Sequence, residues 1–172
     1  MRVALQRYGT VELMPIKIPQ LILSIGVCLG AGVLGSFFTI SSIPTWYQIL
    51  NKPSFAPPNW IFAPVWTVLY ILMGMALYLV WVSKGKLRQN ALNLFFVQLG
   101  LNILWSIIFF GMKNPALALV DIIVLWIAIF LTIKSFSKIN KLASYLLLPY
   151  LFWVSFASLL NLFIVILNYN KV

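Results

Sequence analysis

The sequence predicts an all-α fold: an integral membrane bundle of five transmembrane helices. Three observations predict it. Five apolar runs of about 20 residues follow one another, and at 1.5 Å per residue each reaches across a hydrocarbon core of about 30 Å. Only 8% of the 172 residues are charged and 63% are hydrophobic, with a mean hydropathy of +1.03. A soluble domain carries roughly 25% charged residues, so these few could not cover a water-facing surface. The basic residues, finally, are spread through the short gaps between the apolar runs.

Residues 1–19 read as a polar, basic lead-in containing Arg2, Arg7, Glu12 and Lys17. The run behind it is too long for the apolar part of a signal peptide and shows no clear cleavage site, so a cleaved leader is not expected. The transmembrane domain is expected over 20–168, with a tail of 169–172. Span 1 runs from about Gln20 to Ile40. The stretch 41–64 is different, since Pro44, Pro53, Pro57, Pro58 and Pro64 forbid one continuous helix. Its aromatics, Trp46, Tyr47, Phe55, Trp60 and Phe62, predict a loop that packs as a lid rather than a solvated linker. Span 2 runs from near Asn59 or Pro64 to about Ser83, with Asn59 able to cap it and Pro64 tolerable in its first turn. Lys84, Gly85, Lys86 and Arg88 form a basic link. Span 3 covers about Asn90 to Phe110, and Gly111, Lys113, Asn114 and Pro115 make a turn. Span 4 covers about Ala116 to Ser135. After the turn of Lys138, Asn140 and Lys141, span 5 runs from about Leu142 to Leu167.

Topology follows from charge. Five spans put the N-terminus and the links after spans 2 and 4 on one side, and nine of the twelve Lys and Arg fall there. Lys52, Lys113 and Lys171 fall on the other. In a bacterial plasma membrane this places the N-terminus in the cytoplasm and the Pro/Trp loop outside. The net charge of +10 therefore reads as a topology signal. No basic face is assembled, so nucleic acid is not an expected partner. No internal repeat is visible, and five spans cannot divide into two equal inverted halves, which weighs against common transporter architectures.

The residue types also bound the chemistry. The chain has no histidine, and Glu12 and Asp121 are its only acids. No carboxylate pair, Ser-His or Cys-His arrangement or metal-ligand cluster can be built, and haem on an axial histidine is excluded. No catalytic residue, metal or resident cofactor is expected. Cys28, the single cysteine, cannot form an intrachain disulfide and reads as a small packing residue. Asp121 reads either as an ion or proton site or as a structural acid that satisfies a neighbouring indole or amide.

Aromatic and amide side chains recur at helical spacing. Span 3 carries Gln98, Asn102, Trp105 and Phe109 on one face, span 5 carries Tyr150, Trp153, Ala157 and Asn161, and span 2 carries Asn59, Ala63, Trp66, Tyr70 and Met73. Amides are costly in hydrocarbon, so these rows should face the bundle interior. Spacing leaves two readings open. One is interhelical glue, at roughly 0.6 kcal/mol per polar contact. The other is a pocket walled by Trp66, Tyr70, Trp105 and Trp153 for a flat ligand. Tyr78 and Trp81 read as interfacial belt residues, and Trp46 and Trp60, near the outer face, are open to the same reading. In span 1, Gly26-x-x-x-Gly30 and Ala31-x-x-x-Gly35 suit either packing within the bundle or a dimer face.

Several motifs are more specific. Trp46-Tyr47, Leu50-Asn51-Lys52-Pro53-Ser54-Phe55-Ala56-Pro57-Pro58-Asn59-Trp60, Pro64-Val65-Trp66-Thr67 with Leu69-Tyr70, Gln98-Leu99 with Leu101-Asn102 and Trp105-Ser106, Ala118-Leu119-Val120-Asp121, and Pro149-Tyr150-Leu151-Phe152-Trp153 to Asn161 occur in order. Over residues 20 to 168 the chain resembles the translocator protein family, also called the tryptophan-rich sensory protein or TspO/MBR family. The resemblance implies a five-helix bundle, often dimeric, in membrane lipid. It implies a pocket lidded by the loop between spans 1 and 2, for porphyrins such as protoporphyrin IX, haem, cholesterol or benzodiazepine-type compounds. The pocket residues it implies are Trp60, Trp66, Asn102 and Trp153, with Trp46 and Tyr70 nearby; the facing rows add Trp105 and Ala157. The family's vertebrate sterol motif needs a tyrosine and an arginine late in span 5, and Leu160 to Ile166 has neither. The function implied is a membrane receptor or sensor of tetrapyrrole regulation or stress. The alternatives are a carrier of porphyrins or other amphiphiles, or a light-dependent porphyrin-degrading enzyme.

Overall fold

The computed structural model describes residues 2–7 and 10–169, with side chains from residue 16 onward. Five helical segments are long and apolar enough to cross a membrane: Ile18–Ser42, Asn59–Trp81, Arg88–Gly111, Pro115–Ser137 and Lys141–Leu167. The chain is thus an integral membrane helical bundle. A short ribbon precedes it, with β1 (Arg2–Arg7) pairing antiparallel to β2 (Thr10–Pro15) so that Val3 stands opposite Met14 and Leu5 opposite Glu12. The lead-in was read without secondary structure, so this hairpin is an addition.

Helix α1 spans Ile18–Ser42 and has Pro19 in its first turn, where a missing N–H costs nothing. Helix α2 spans Phe62–Trp81 and follows a 3₁₀ turn at Asn59–Ile61. Asn59 does not cap it by its side chain, contrary to expectation; its carbonyl accepts the Phe62 N–H instead. Helix α3 spans Arg88–Ser106 and runs on as a π-helical segment, Ile107–Gly111, in which the Met112 N–H reaches back to the Ile107 carbonyl at 2.8 Å. Lys113 then takes φ 54°, and Asn114 caps α4 (Pro115–Ser137) by accepting the Leu117 N–H at 2.9 Å. Asn140 caps α5 (Lys141–Leu146) in the same way through Ala143. The fifth span breaks at Leu147, and α6 (Leu148–Leu167) begins with Pro149, which has no N–H to continue the ladder.

In packing order the helices make a ring. Helix α1 packs on α2 and α3, α3 on α4, α4 on α5 and α6, and α2 closes the ring mainly on α5. Within a bilayer, association rests on close packing and interhelical hydrogen bonds, because lipid tails are as apolar as the side chains. Close packing is visible at Gly74: a Cβ there would lie 2.5 Å from the Ile25 Cα, so α1 and α2 touch backbone to backbone at that level. One buried cluster fills the end of the bundle near α5, around Met73, Val80, Phe95, Phe136 and Tyr150. A second, around Tyr47, Phe109, Phe110, Leu160 and Ile164, fills the end under the 43–61 loop. Tyr78 belongs to the first cluster, 4% exposed, its hydroxyl accepting the Lys17 N–H at 3.0 Å. The belt reading of Tyr78 is therefore corrected; Trp81 is half-buried.

Candidate functional site

A cavity of about 550 Å³ opens within the loop end of the bundle. It exists because α2 leans on α5 at the far end but makes little contact with α6, so the helices part toward the loop. Trp66 and Tyr70 of α2 stand in stacked geometry at 5.4 Å and form one wall. Trp105 and Phe109 of α3 and its π segment, stacked at 4.9 Å, form another. Trp153, Ala157 and Asn161 supply a third from α6, with Phe62 set edge-on to Trp153 at 5.9 Å. The π segment widens the aromatic wall. Its extra residue per turn brings Phe110, adjacent to Phe109, onto the same lining, and Ser42 holds the freed Phe110 carbonyl through its hydroxyl at 2.8 Å.

The loop closes the water-facing end. Trp46 packs edge-on against Phe109 at 5.6 Å, and Tyr47 lies against Phe109 and Phe110. Lys52 sets its Nζ 4.5 Å over the Tyr47 ring, and burial pushes the Tyr47 hydroxyl above its ordinary pKa, so it stays neutral. Phe55 packs on Phe156 and Phe163. Asn51 and Asn168 clasp each other: the Asn51 N–H donates to Asn168 Oδ1 and Asn168 Nδ2 donates to the Asn51 carbonyl, both at 2.9 Å. The prolines lower the entropy lost when this segment orders.

Several polar atoms on the walls are already used, while Trp153 Nε1 is buried there without a partner among the described residues. The Tyr70 hydroxyl donates to Asn102 Oδ1 at 2.6 Å. Trp105 Nε1 donates to Asn161 Oδ1 at 3.1 Å, and Asn161 Nδ2 donates to the Pro115 carbonyl at 2.8 Å, tying three helices together. Ser36, Thr39 and Thr67 return their hydroxyls to carbonyls of their own helices. The cavity thus meets a ligand with aromatic faces and apolar edges, and selects by shape and stacking more than by hydrogen bonds. No carboxylate, histidine, lysine or cysteine lines it: Asp121 is 8% exposed, outside the lining, and its Oδ2 has no hydrogen-bond partner among the described residues.

Of the candidate residues, Trp66, Tyr70, Trp105, Trp153 and Ala157 come together on the lining. Asn102 lies behind Tyr70, 3% exposed, and reaches the cavity only through that hydroxyl. Trp46 sits in the loop above Phe109, and Trp60 is 73% exposed and does not line the cavity. Sequence reasoning left out a whole wall. Gly32, Val33, Gly35, Ser36, Thr39 and Ile40 of α1 line the cavity. The signal was the glycine stripe: a Cβ at Gly32 would meet the Tyr70 ring at 2.5 Å. Gly26 and Gly30 have nothing within 4 Å, so the stripe splits into an inward and an outward half.

Residues 24–167 match the TspO/MBR family. Among similar proteins, "Tryptophan-rich protein TspO" of Archaeoglobus fulgidus is 51% identical over 152 residues, which is 88% of this chain and 99% of that one. The protein of the same name from Chlorobaculum tepidum is 50% identical over 156 residues, 88% of this chain and 98% of its own. The human "Translocator protein" is 39% identical over 150 residues, 86% and 88% respectively.

Proposed function

This chain belongs to the TspO/MBR family, and from that premise we propose that it is a membrane receptor or sensor that holds a porphyrin, protoporphyrin IX or haem, in the aromatic cavity. The relatives' names, which include "Tryptophan-rich sensory protein" and "Translocator protein", support a sensing or receptor role. The observation that carries the ligand class is the cavity itself: about 550 Å³, walled by the rings of Trp66, Tyr70, Trp105, Phe109 and Trp153, with the Tyr70 hydroxyl and Trp105 indole N–H engaged by Asn102 and Asn161 and the Trp153 indole N–H buried without a partner among the described residues. A porphyrin is wide, flat and largely apolar, and indole faces can cover it while excluding lipid. Binding rather than turnover fits a lining that holds no carboxylate, histidine, lysine or cysteine. The experiment is protoporphyrin IX titrated into the detergent-solubilised protein in the dark and in light. Saturable quenching of tryptophan fluorescence with pigment recovered intact supports a receptor. Light-dependent product with repeated turnover favours the degrading enzyme, and flux into sealed vesicles the carrier.

The positive-inside argument also sets the expected orientation, with the N-terminus cytoplasmic and the 43–61 loop on the opposite face. In a Cys28→Ser background, Ser54→Cys should react with an impermeant maleimide in intact cells, because Ser54 is exposed in that loop. Reaction only after the cytoplasmic side is opened reverses the assignment. A homodimer belongs to the same proposal, with the outward Gly26 and Gly30 face of α1 as the surface free to meet a second copy.

A further inference from the structure

We infer that the cavity has its entrance in the side of the bundle, a slot between the loop-end halves of α1 and α2, and that it admits molecules dissolved in the bilayer rather than in water. The inference rests on the cavity being a ligand site, as proposed above, and adds the route and therefore the class of ligand: one that partitions into lipid before it binds.

Two sets of contacts define the slot. At its base α1 and α2 are in backbone contact, since a Cβ on Gly74 would strike Ile25 at 2.5 Å. One step nearer the loop, Gly32 meets the Tyr70 ring with no room for a methyl group. Beyond Gly32 the helices part. Val33, Ser36 and Ile40 on α1 and Asn59, Ala63 and Thr67 on α2 all line the cavity. Of these, Val33 is 68% and Ile40 70% exposed, and Asn59, Ala63 and Thr67 are exposed too. Residues that face both the cavity and the outside mark where the two are continuous. Both helices are membrane spans, so what lies outside at this level is hydrocarbon.

The other way in is shut. The end facing water is covered by Trp46 and Tyr47 over the phenylalanine pair and stitched by the Asn51–Asn168 clasp. Opening it would break three backbone-to-amide hydrogen bonds, since Asn51 Nδ2 also donates to the Leu167 carbonyl at 3.2 Å, and uncover Tyr47 and Leu50, which are 4% and 8% exposed. Opening the slot breaks nothing. Most of its lip is apolar or hydroxylated, with the Ser36 and Thr67 hydroxyls returned to their own helices; Asn59 alone carries a free amide, at the loop end of the slot.

The test uses protein in phosphatidylcholine vesicles, in a Cys28→Ser background with Ala157→Cys. Ala157 is 9% exposed and lies on α6, across the cavity from the slot. A maleimide with an alkyl chain that partitions into the bilayer is compared with a sulfonated maleimide supplied in water on both sides. The alkyl reagent should label position 157 at least tenfold faster. Ala63→Trp, which fills the slot from α2, should slow that labelling at least tenfold. Ser36→Phe, from the opposite lip, provides a second plug should the first variant misfold. Equal labelling by the sulfonated reagent, no labelling by either, or an unchanged rate in folded plugged variants overturns the lateral entrance. Protoporphyrin IX should protect the site. Lateral labelling that persists undiminished under saturating protoporphyrin supports the entrance and sinks the porphyrin reading alone.

Discussion

Trp66→Ala and Trp153→Ala should each weaken protoporphyrin binding ten- to hundredfold. Trp66 stacks on Tyr70 at 5.4 Å and meets Tyr150 edge-on at 6.1 Å, so its indole is held as a flat wall rather than a mobile flap. Trp153 is held between Phe62 and Phe156 on the facing side. An aromatic contact contributes roughly 0.5–1.5 kcal/mol beyond area burial. With the lost burial added, one or two factors of ten follow, because each 1.4 kcal/mol is about tenfold. Asn102→Leu should cost less, since its amide acts only through the Tyr70 hydroxyl. Trp60→Ala should change affinity by less than about threefold, because the ring is 73% exposed and off the lining. Quenching titrations in detergent, with circular dichroism as the check on folding, separate these variants. A Trp153→Ala protein that binds as tightly as Trp60→Ala would show that the α6 row is packing only.

The second large effect is on stability. Gly74→Ala should destabilise the bundle by about 1–3 kcal/mol, the usual cost of overpacking a close contact. Its methyl group would meet the Cα, N and Cγ1 of Ile25, and backbone atoms cannot swing aside as a side chain does. The helices must separate at the base of the slot. Gly100→Ala is the matched control: it is the same change inside a membrane-spanning helix, α3, with nothing within 4 Å, and should be neutral. Thermal unfolding in one detergent, read by circular dichroism, compares the two. Equal midpoints would show that α1 and α2 do not touch as described.

Much of the fold was legible because bilayer thickness converts directly into run length. Each expected span lies within about two to four residues of a helix, and Pro64, Asn114 and Asn140 mark helix starts by chemistry readable in one dimension. The aromatic rows on spans 2, 3 and 5 were legible because a polar atom at membrane depth must turn inward. What was not legible depends on neighbours. Glycines carry no sign of which ring they admit, so the α1 stripe reads as bundle packing or a dimer face and not as a cavity wall. The π segment adds one residue to a turn with no signal but Gly111 at its end, which reads equally well as the start of the following turn, and it depends on Ser42 of another helix meeting the freed carbonyl. Tyr78 has the composition of a belt residue, but its burial follows from the Lys17 backbone reaching its hydroxyl across 61 positions of sequence. The break at Leu147 was announced by Pro149 and went unread because the apolar run continues through it.

The polar ties between the spans have a direction in time. Asn102 on the third span finds its partner in Tyr70 on the second, and Asn161 on the fifth finds Trp105 on the third and Pro115 at the start of the fourth. In both cases the buried amide is synthesised after the group that satisfies it. A ribosome delivering this chain from its N-terminus therefore releases Asn102 and Asn161 into a membrane where their partners already wait, and these two amides need not linger bare in lipid. A circular permutation that placed the fifth span first would keep every contact of the finished bundle and lose that order of arrival.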